Sequence, residues 1–428
     1  MRMYVIYVLM AVALGMTVGS VSAAAPTKWT DLQLITHETG DTATGNVNQV
    51  SMGVRGNKIG ILVDRQIPAK STWAKKPYYN EFTYSAQGGD LGATVRQTVT
   101  NEIVESSYGA YGMYLTGMEF TSSGVPMVGC MPYAAGNTSS ARVFTRTGTE
   151  TWTKDIATNN VTWNHRAFHE AFTLNASDEP QFAWVSEASG SKQLFHGAKS
   201  GGVWSNTVLS TFSSDEQNAM PDLALDASGY PHVSFGVNTN YPPCVGYAWE
   251  NVGGVHDENP DAPSGISNPM RYHDIEMDVN DRPMIAHMGN EAPGGGVAVT
   301  MYDGSVWTDT AAHGNSWRDY PRDGFTYDLE LDGDGDPVMV VAWFDDSDGV
   351  GNRTNVWVDW CEWDGSDWTV ENIATVATED AGLVCAALEF DEVGRPFVAL
   401  GLQKKGDAYK GLYIMHVLPA EGTVIIIQ

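Results

Sequence analysis

Two histidines, His273 and His287, stand five residues before and nine residues after Asp278. If the chain turns near Asn280, the two imidazoles become cross-strand neighbours. Such a pair can share proton transfer near neutral pH. Tyr272 and Arg271 sit beside His273 as an acid and a carboxylate clamp, and His169 is a second candidate base. Together these types suit β-elimination from a uronate. A base takes the proton α to the carboxylate, an arginine neutralises that carboxylate, and a tyrosine protonates the leaving oxygen. Histidines that merely hydrogen-bond between neighbouring elements are the competing reading of the same spacing.

Residues able to grip such a substrate are concentrated in a few segments. Residues 64–80 hold Arg65, Lys70, Trp73, Lys75, Lys76, Tyr78 and Tyr79 against one acid. Trp163, His165 and Arg166 precede one turn motif, and Trp317, Arg318, Tyr320 and Arg322 precede another. Aromatic planes stack on sugar rings, and guanidinium groups fork carboxylates or sulfates. The acids Asp257, Glu258, Asp261, Asp319 and Asp323 dilute this set. Asp222, Asp274 and Asp328 share a register four residues before the aspartates Asp226, Asp278 and Asp332. Such a row serves either acid–base chemistry or, more simply, the backbone of a neighbouring unit.

No metal or cofactor is expected. Cys130, Cys244, Cys361 and Cys385 lack metal-ligand spacing, and only Cys361 with Cys385 is entertained as a disulfide. The run Asp332 to Asp336 lacks a full calcium loop with its terminal glutamate. Nucleotide-binding glycine loops and catalytic-serine elbows are missing too.

The elements that position these residues come from a repeat. The copies include Leu223-Ala224-Leu225-Asp226 with Pro231, Ile275-Glu276-Met277-Asp278 with Pro283, Leu329-Glu330-Leu331-Asp332 with Pro337, and Leu388-Glu389-Phe390-Asp391 with Pro396. Earlier copies end on Pro126 and Pro180, and the successive prolines are 54, 51, 52, 54 and 59 residues apart. Between them lies a second signal, an alternating run, a tight turn such as Asp303-Gly304 or Asp364-Gly365, then a Trp-led strand. Two hairpins per repeat give four antiparallel strands, which is one propeller blade. A degenerate copy at Val50–Val63, with Lys58 in place of the proline, makes seven. The expected fold is therefore all-β, a seven-bladed β-propeller. Its last blade would be completed by Thr423–Ile427, and the ring would close through Lys28–Ile35. Both turn types fall on one side of the ring, so the irregular links carrying the cations, aromatics and histidines share the other side.

Arg2, the apolar run from Tyr4 to Val18 and the small residues before Ala24 read as a signal peptide over residues 1–23. Residues 24–428 then form one domain, exported, monomeric and not inserted in a membrane. The chain has 24 basic and 52 acidic residues, a formal charge of −28, so it repels nucleic acid and anionic membranes.

The turns Asp303-Gly304-Ser305-Val306-Trp307 and Asp364-Gly365-Ser366-Asp367-Trp368 resemble degraded Asp-box turns of sialidase-type propellers. The Leu-x-Leu-Asp-x-x-Gly-x-Pro repeat resembles that of secreted bacterial propellers grouped with that clan. The sialidase set of three arginines, a tyrosine nucleophile with its glutamate and an acidic aspartate cannot be assembled from this chain. Some polysaccharide lyases, including those acting on ulvan, have such rings and use histidine and tyrosine. The resemblance thus implies a carbohydrate-active propeller that binds an anionic polysaccharide and cleaves it as a lyase. The alternatives are a non-catalytic glycan binder and a protein-interaction platform.

Overall fold

Residues that alternate between a polar wall and an apolar seam can only satisfy both if each strand sits between two neighbouring sheets. The inner strands do this around a ring. The computed structural model describes residues 29–30, 33–36, 50–66, 75–84, 91, 95–100, 104–106, 109–111, 113–132, 138–162, 171–188, 191–213, 221–237, 244–258, 273–289, 296–314, 325–344, 355–377, 381–404 and 409–417. These residues form seven four-stranded antiparallel sheets and one small hairpin, Val104–Ser106 with Gly109–Tyr111. None of the described residues forms a helix long and apolar enough to cross a membrane.

The innermost strands are Val50–Arg55 in blade 1, Met113–Phe120 in blade 2, Phe172–Leu174 in blade 3 and Asp222–Leu225 in blade 4. They continue with His273–Met277 in blade 5, Phe325–Leu331 in blade 6 and Ala381–Phe390 in blade 7. Each touches the next, and the last touches the first, so the ring is closed. Second strands are buried on both faces and read almost continuously apolar, as in Pro337–Phe344, where Val338 to Ala342 are wholly buried.

The seven expected blades, including the degenerate first, are all present. Blade 1 turns through Gly56 and Asn57 as a two-residue hairpin, with Gly56 at φ 62°, between Arg55 and Lys58. The other blades use a longer turn, closed by Thr121 in blade 2, by Asn175 in blade 3 and by the motif aspartate in blades 4 to 7. Asp278 Oδ1 accepts from the Asn280 and Arg282 amides at 2.8 and 2.9 Å, and Asp332 Oδ1 accepts from those of Asp334 and Asp336 at 2.9 and 3.0 Å. That is the Asx-turn role of a short acid.

In blades 2, 4, 6 and 7 the left-handed turn position belongs to Gly124, Gly229, Gly335 and Gly394, but in blades 3 and 5 it belongs to Asp178 and Asp281, at φ 59° and 58°. Aspartate tolerates this conformation better than most side chains. The reason for its use here is a clasp between blades. Asp178 Oδ1 accepts from the Ser122 amide at 2.7 Å, and Asp281 Oδ1 accepts from the Ala227 amide at 2.7 Å, each in the preceding blade.

The ring closes through the N-terminal segment, as expected. Gln33–Thr36 occupies the outer place of blade 7, with Gln33 opposite Ile414 and Leu34 opposite Tyr413. Trp29 bridges to Val417, and the Thr30 amide donates to the His416 carbonyl at 2.9 Å. Residues 423–427 lie outside the described residues. Cys361 and Cys385 do not form the disulfide that their sequence positions allow: both are buried thiols facing different interblade cores, and Cys385 Sγ lies 3.6 Å from the Gly401 carbonyl.

Close packing at the seams makes a checkable demand. A Cβ on Gly129 would lie 2.5 Å from Thr116 Oγ1 and 2.6 Å from the Phe172 ring. On Gly60 it would first meet the flexible end of Met118, with the Tyr79 and Phe120 rings at 2.9 and 3.0 Å. Gly129→Ala is therefore expected to cost about 1–3 kcal/mol in urea denaturation, and more than Gly60→Ala.

Candidate functional site

The blade-5 hairpin turns through Asn280, and His273 stands directly opposite His287 across the first two strands. Cross-strand partners put their Cβ atoms on the same sheet face roughly 5 Å apart. Both lie at the end of the inner strands away from the proline turn. They are 4% and 1% exposed, so this is a buried pair in the seam with blade 4. His273 Nδ1 is 2.8 Å from Ser234 Oγ of blade 4. His287 Nε2 is 2.6 Å from Thr300 Oγ1 and 3.3 Å from Asp309 Oδ1.

The other expected site residues distribute unevenly. Tyr272, Arg271, His169, Arg166, Trp163, Trp317, Arg318 and Arg322 lie outside the described residues. Tyr78 is half-buried in the third strand of blade 1. Tyr79 on the same strand is fully buried, its hydroxyl donating to Glu81 Oε2 at 2.8 Å, its face under Arg146 and its edge against Trp152. Tyr79 thus joins blade 1 to blade 2 instead of facing a sugar. Burial, reinforced by Glu81, raises its phenol far above the ordinary value.

The row Asp222, Asp274 and Asp328 takes the structural alternative. Each Oδ2 accepts a backbone amide from the next blade, Ile275 at 2.8 Å, Leu329 at 2.5 Å and Leu388 at 2.6 Å. Ser51 plays the same part in blade 1, accepting from the Met118 amide at 3.0 Å.

Two residues further along the same strand faces comes an arrangement that the sequence reading did not single out. Glu119, Glu276, Glu330 and Glu389 converge from blades 2, 5, 6 and 7 on a central cavity of about 330 Å³. Their neighbours around it are Ser51 and Met52 in blade 1, Phe172 to Leu174 in blade 3 and Leu223 to Leu225 in blade 4. No lysine, arginine or histidine among the described residues lines this space. Each glutamate is half-buried, its open part being the cavity wall.

Without a counter-charge, desolvation favours the protonated acid. It holds Glu119 up at about 7 and Glu276 at about 8, with Asp274 adding to the latter. Glu330 and Glu389 are pushed up by burial first and then by their glutamate neighbours. Asp222 and Asp328 rise for the same reason, with Asp274 the next cause. The signal was available: an acid inside an inner-strand pattern such as Leu329-Glu330-Leu331 can only face the channel.

A second unforeseen cluster lies between blades 5 and 6. His313 Nε2 is 2.9 Å from Asp359 Oδ2, which also accepts from Trp343 Nε1 at 2.6 Å, while Asn372 donates to Oδ1 at 2.8 Å. Three donors hold Asp359 below its ordinary value against the opposing effect of burial.

No protein-family model and no curated protein matches this chain. Solved structures do. An ulvan lyase with -[GlcA(1-4)Rha3S]- bound aligns at TM-score 0.52 and 13% identity, over 87% of this chain and 93% of that one. The polysaccharide lyase Uly1 aligns at TM-score 0.50 and 9% identity, over 87% and 90%. A leech intramolecular trans-sialidase aligns at TM-score 0.45 and 10% identity, over 90% and 70%. The fold-level resemblance read from the repeats and Asp-Gly turns therefore holds, and at these identities what the chain shares with the two lyases is their fold.

Proposed function

We propose that this chain is an exported, carbohydrate-active propeller that binds an anionic polysaccharide on the face opposite its proline turns and cleaves it by β-elimination. The observation carrying this reading is the opposition of His273 and His287 at that end of blade 5. It stands on a fold that also occurs in an ulvan lyase solved with a glucuronate-containing, sulfated ligand. In the reaction, one imidazole takes the proton α to a uronate carboxylate. The C–H electron pair becomes the new double bond as the bond to the leaving oxygen breaks, and Tyr272 protonates that oxygen. His169 is the second candidate base. Arg271, Arg166, Arg318 and Arg322 neutralise carboxylate or sulfate, with Trp163, Trp317 and Tyr78 as stacking planes. The reading needs no metal or cofactor, and it has the protein act as a secreted monomer.

A second reading, a glycan-binding propeller without proton chemistry, is favoured by the burial of both imidazoles. Purified protein incubated with glucuronate-containing sulfated polysaccharide separates the two. Rising ultraviolet absorbance from the new double bond supports elimination. Retention on the immobilised polysaccharide without absorbance supports binding alone, and neither result removes both readings.

A further inference from the structure

The innermost strands bring one sequence register to the axis of the ring. Glu119, Glu276, Glu330 and Glu389 each stand two residues before the residue that closes their turn, and Thr173 and Ala224 hold that place in blades 3 and 4. Closing the repeat on itself therefore sets four carboxylates around one cavity. A carboxylate only accepts hydrogen bonds. The amides of Met277 and Phe390 reach the glutamates that precede them, and the wall carries no lysine, arginine or histidine among the described residues.

The tier above makes the same demand. Asp222 and Asp328 sit two residues up their strands from Ala224 and Glu330, and so on the same strand face. Each is 1% exposed, and its Oδ2 is held by an amide of the next blade. Each Oδ1 has no hydrogen-bond partner, and the side chain beside each is a third carboxyl, Asp274. Thr326, two residues further up blade 6, adds a hydroxyl that is 1% exposed and also without a partner. Buried acceptors facing one another in this way call for a ligand that is positive and brings its own donors.

We propose that the central channel binds a divalent cation of the magnesium type as its hydrated ion, gripped through the water shell by Glu119, Glu276, Glu330 and Glu389. Asp222 and Asp328 accept from the upper side of the same shell. Direct chelation does not fit, because no group of three His, Cys, Asp or Glu side chains among the described residues is arranged to hold a metal ion. Magnesium gives up its waters reluctantly, and those waters are the donors that the carboxylates need. Six waters at about 30 Å³ each take about 180 Å³, which the cavity of about 330 Å³ admits. The ion offsets repulsion between carboxylates of four blades, so it binds the closed ring in preference to the unfolded chain. This site is separate from the histidines of blade 5 and does not depend on the elimination reading.

Calorimetric titration of the full-length protein at pH 8 tests this with magnesium chloride and with hexaamminecobalt(III), whose ammine shell does not exchange. Both should bind at a single site, the cobalt complex at least as tightly, and calcium chloride should bind no tighter than magnesium. Glu276→Gln with Glu330→Gln should weaken both ligands by at least about tenfold. Glu150→Gln with Glu371→Gln, which removes the same charge from exposed positions, should leave them unchanged. Magnesium at constant ionic strength should also raise the urea midpoint of the parent and of that control, but not of the channel variant. Magnesium binding without the cobalt complex, calcium binding tighter than magnesium, equal weakening in both double variants, or no binding at all overturns the proposal.

Discussion

Between pH 5 and pH 9 the propeller is expected to lose several kcal/mol of stability. The sign follows from linkage. Glu119 and Glu276 are held at about 7 and about 8 in the folded ring, against 4.5 in the unfolded chain. The folded state therefore binds more protons across that window. Stability is fully present below about pH 4.5 and is lost as pH rises through the folded values. Each unit of displacement corresponds to about 1.4 kcal/mol, and partial solvation of the cavity wall reduces the total. Denaturation midpoints should therefore fall from pH 5 through 7 to 9. Glu276→Gln, and more so Glu276→Gln with Glu330→Gln, should flatten that slope and raise stability at pH 9. A midpoint that stays level or climbs in this range contradicts an uncompensated carboxylate hub. Acids held low by turn and seam hydrogen bonds, among them Asp278, Asp303 and Asp359, act below about pH 4 and in the opposite sense. The stability optimum should consequently lie at mildly acidic pH.

The second large effect concerns turnover. Replacing His287 by alanine should reduce the elimination rate by roughly 10²–10⁴, the usual contribution of a positioned general base. His273→Ala should reduce it comparably if the two imidazoles act as a unit. Both residues are buried and hydrogen-bonded, so the variants should also melt earlier, by about 1–3 kcal/mol for the partners left unsatisfied. Thermal melts run beside the assay separate loss of fold from loss of chemistry. Full turnover in both folded variants would refute the assignment of the base.

The repeat made the ring legible because its punctuation is chemical. Asp278 or Asp332 closes a turn with its own carboxylate, and glycine or aspartate takes the left-handed position two residues before each proline. Those constraints recur at the same offsets whatever the loops do. The His273–His287 opposition was legible for the same reason, since the register follows from the turn at Asn280. Less could be read where two environments favour the same residue types. Residues 64–80 look like a cationic, aromatic loop, yet their described parts belong to the second and third strands of blade 1, Lys58–Gln66 and Lys75–Thr83, and the latter buries Tyr79 between blades. Lysines at the start of a strand and a tyrosine with a polar tip suit a wet surface and a blade seam equally well. The carboxylate hub was hidden differently. Glu119, Glu276, Glu330 and Glu389 were visible in the repeat, but their convergence is a property of the closed ring and of no single copy.

The clasp at the outer edge of blade 7 sets the order of events during synthesis. Thr30 and His416 are 386 positions apart, and the strand that zips the ring shut is made before any other strand of the seven blades. It must wait, unpaired along one edge, until the last blade arrives. Closure over so long a separation is entropically slow. The waiting strand is also the place where a second chain could insert by mistake. Growth at high protein concentration should thus favour exchanged dimers in which the opening strand of one copy completes the final blade of another.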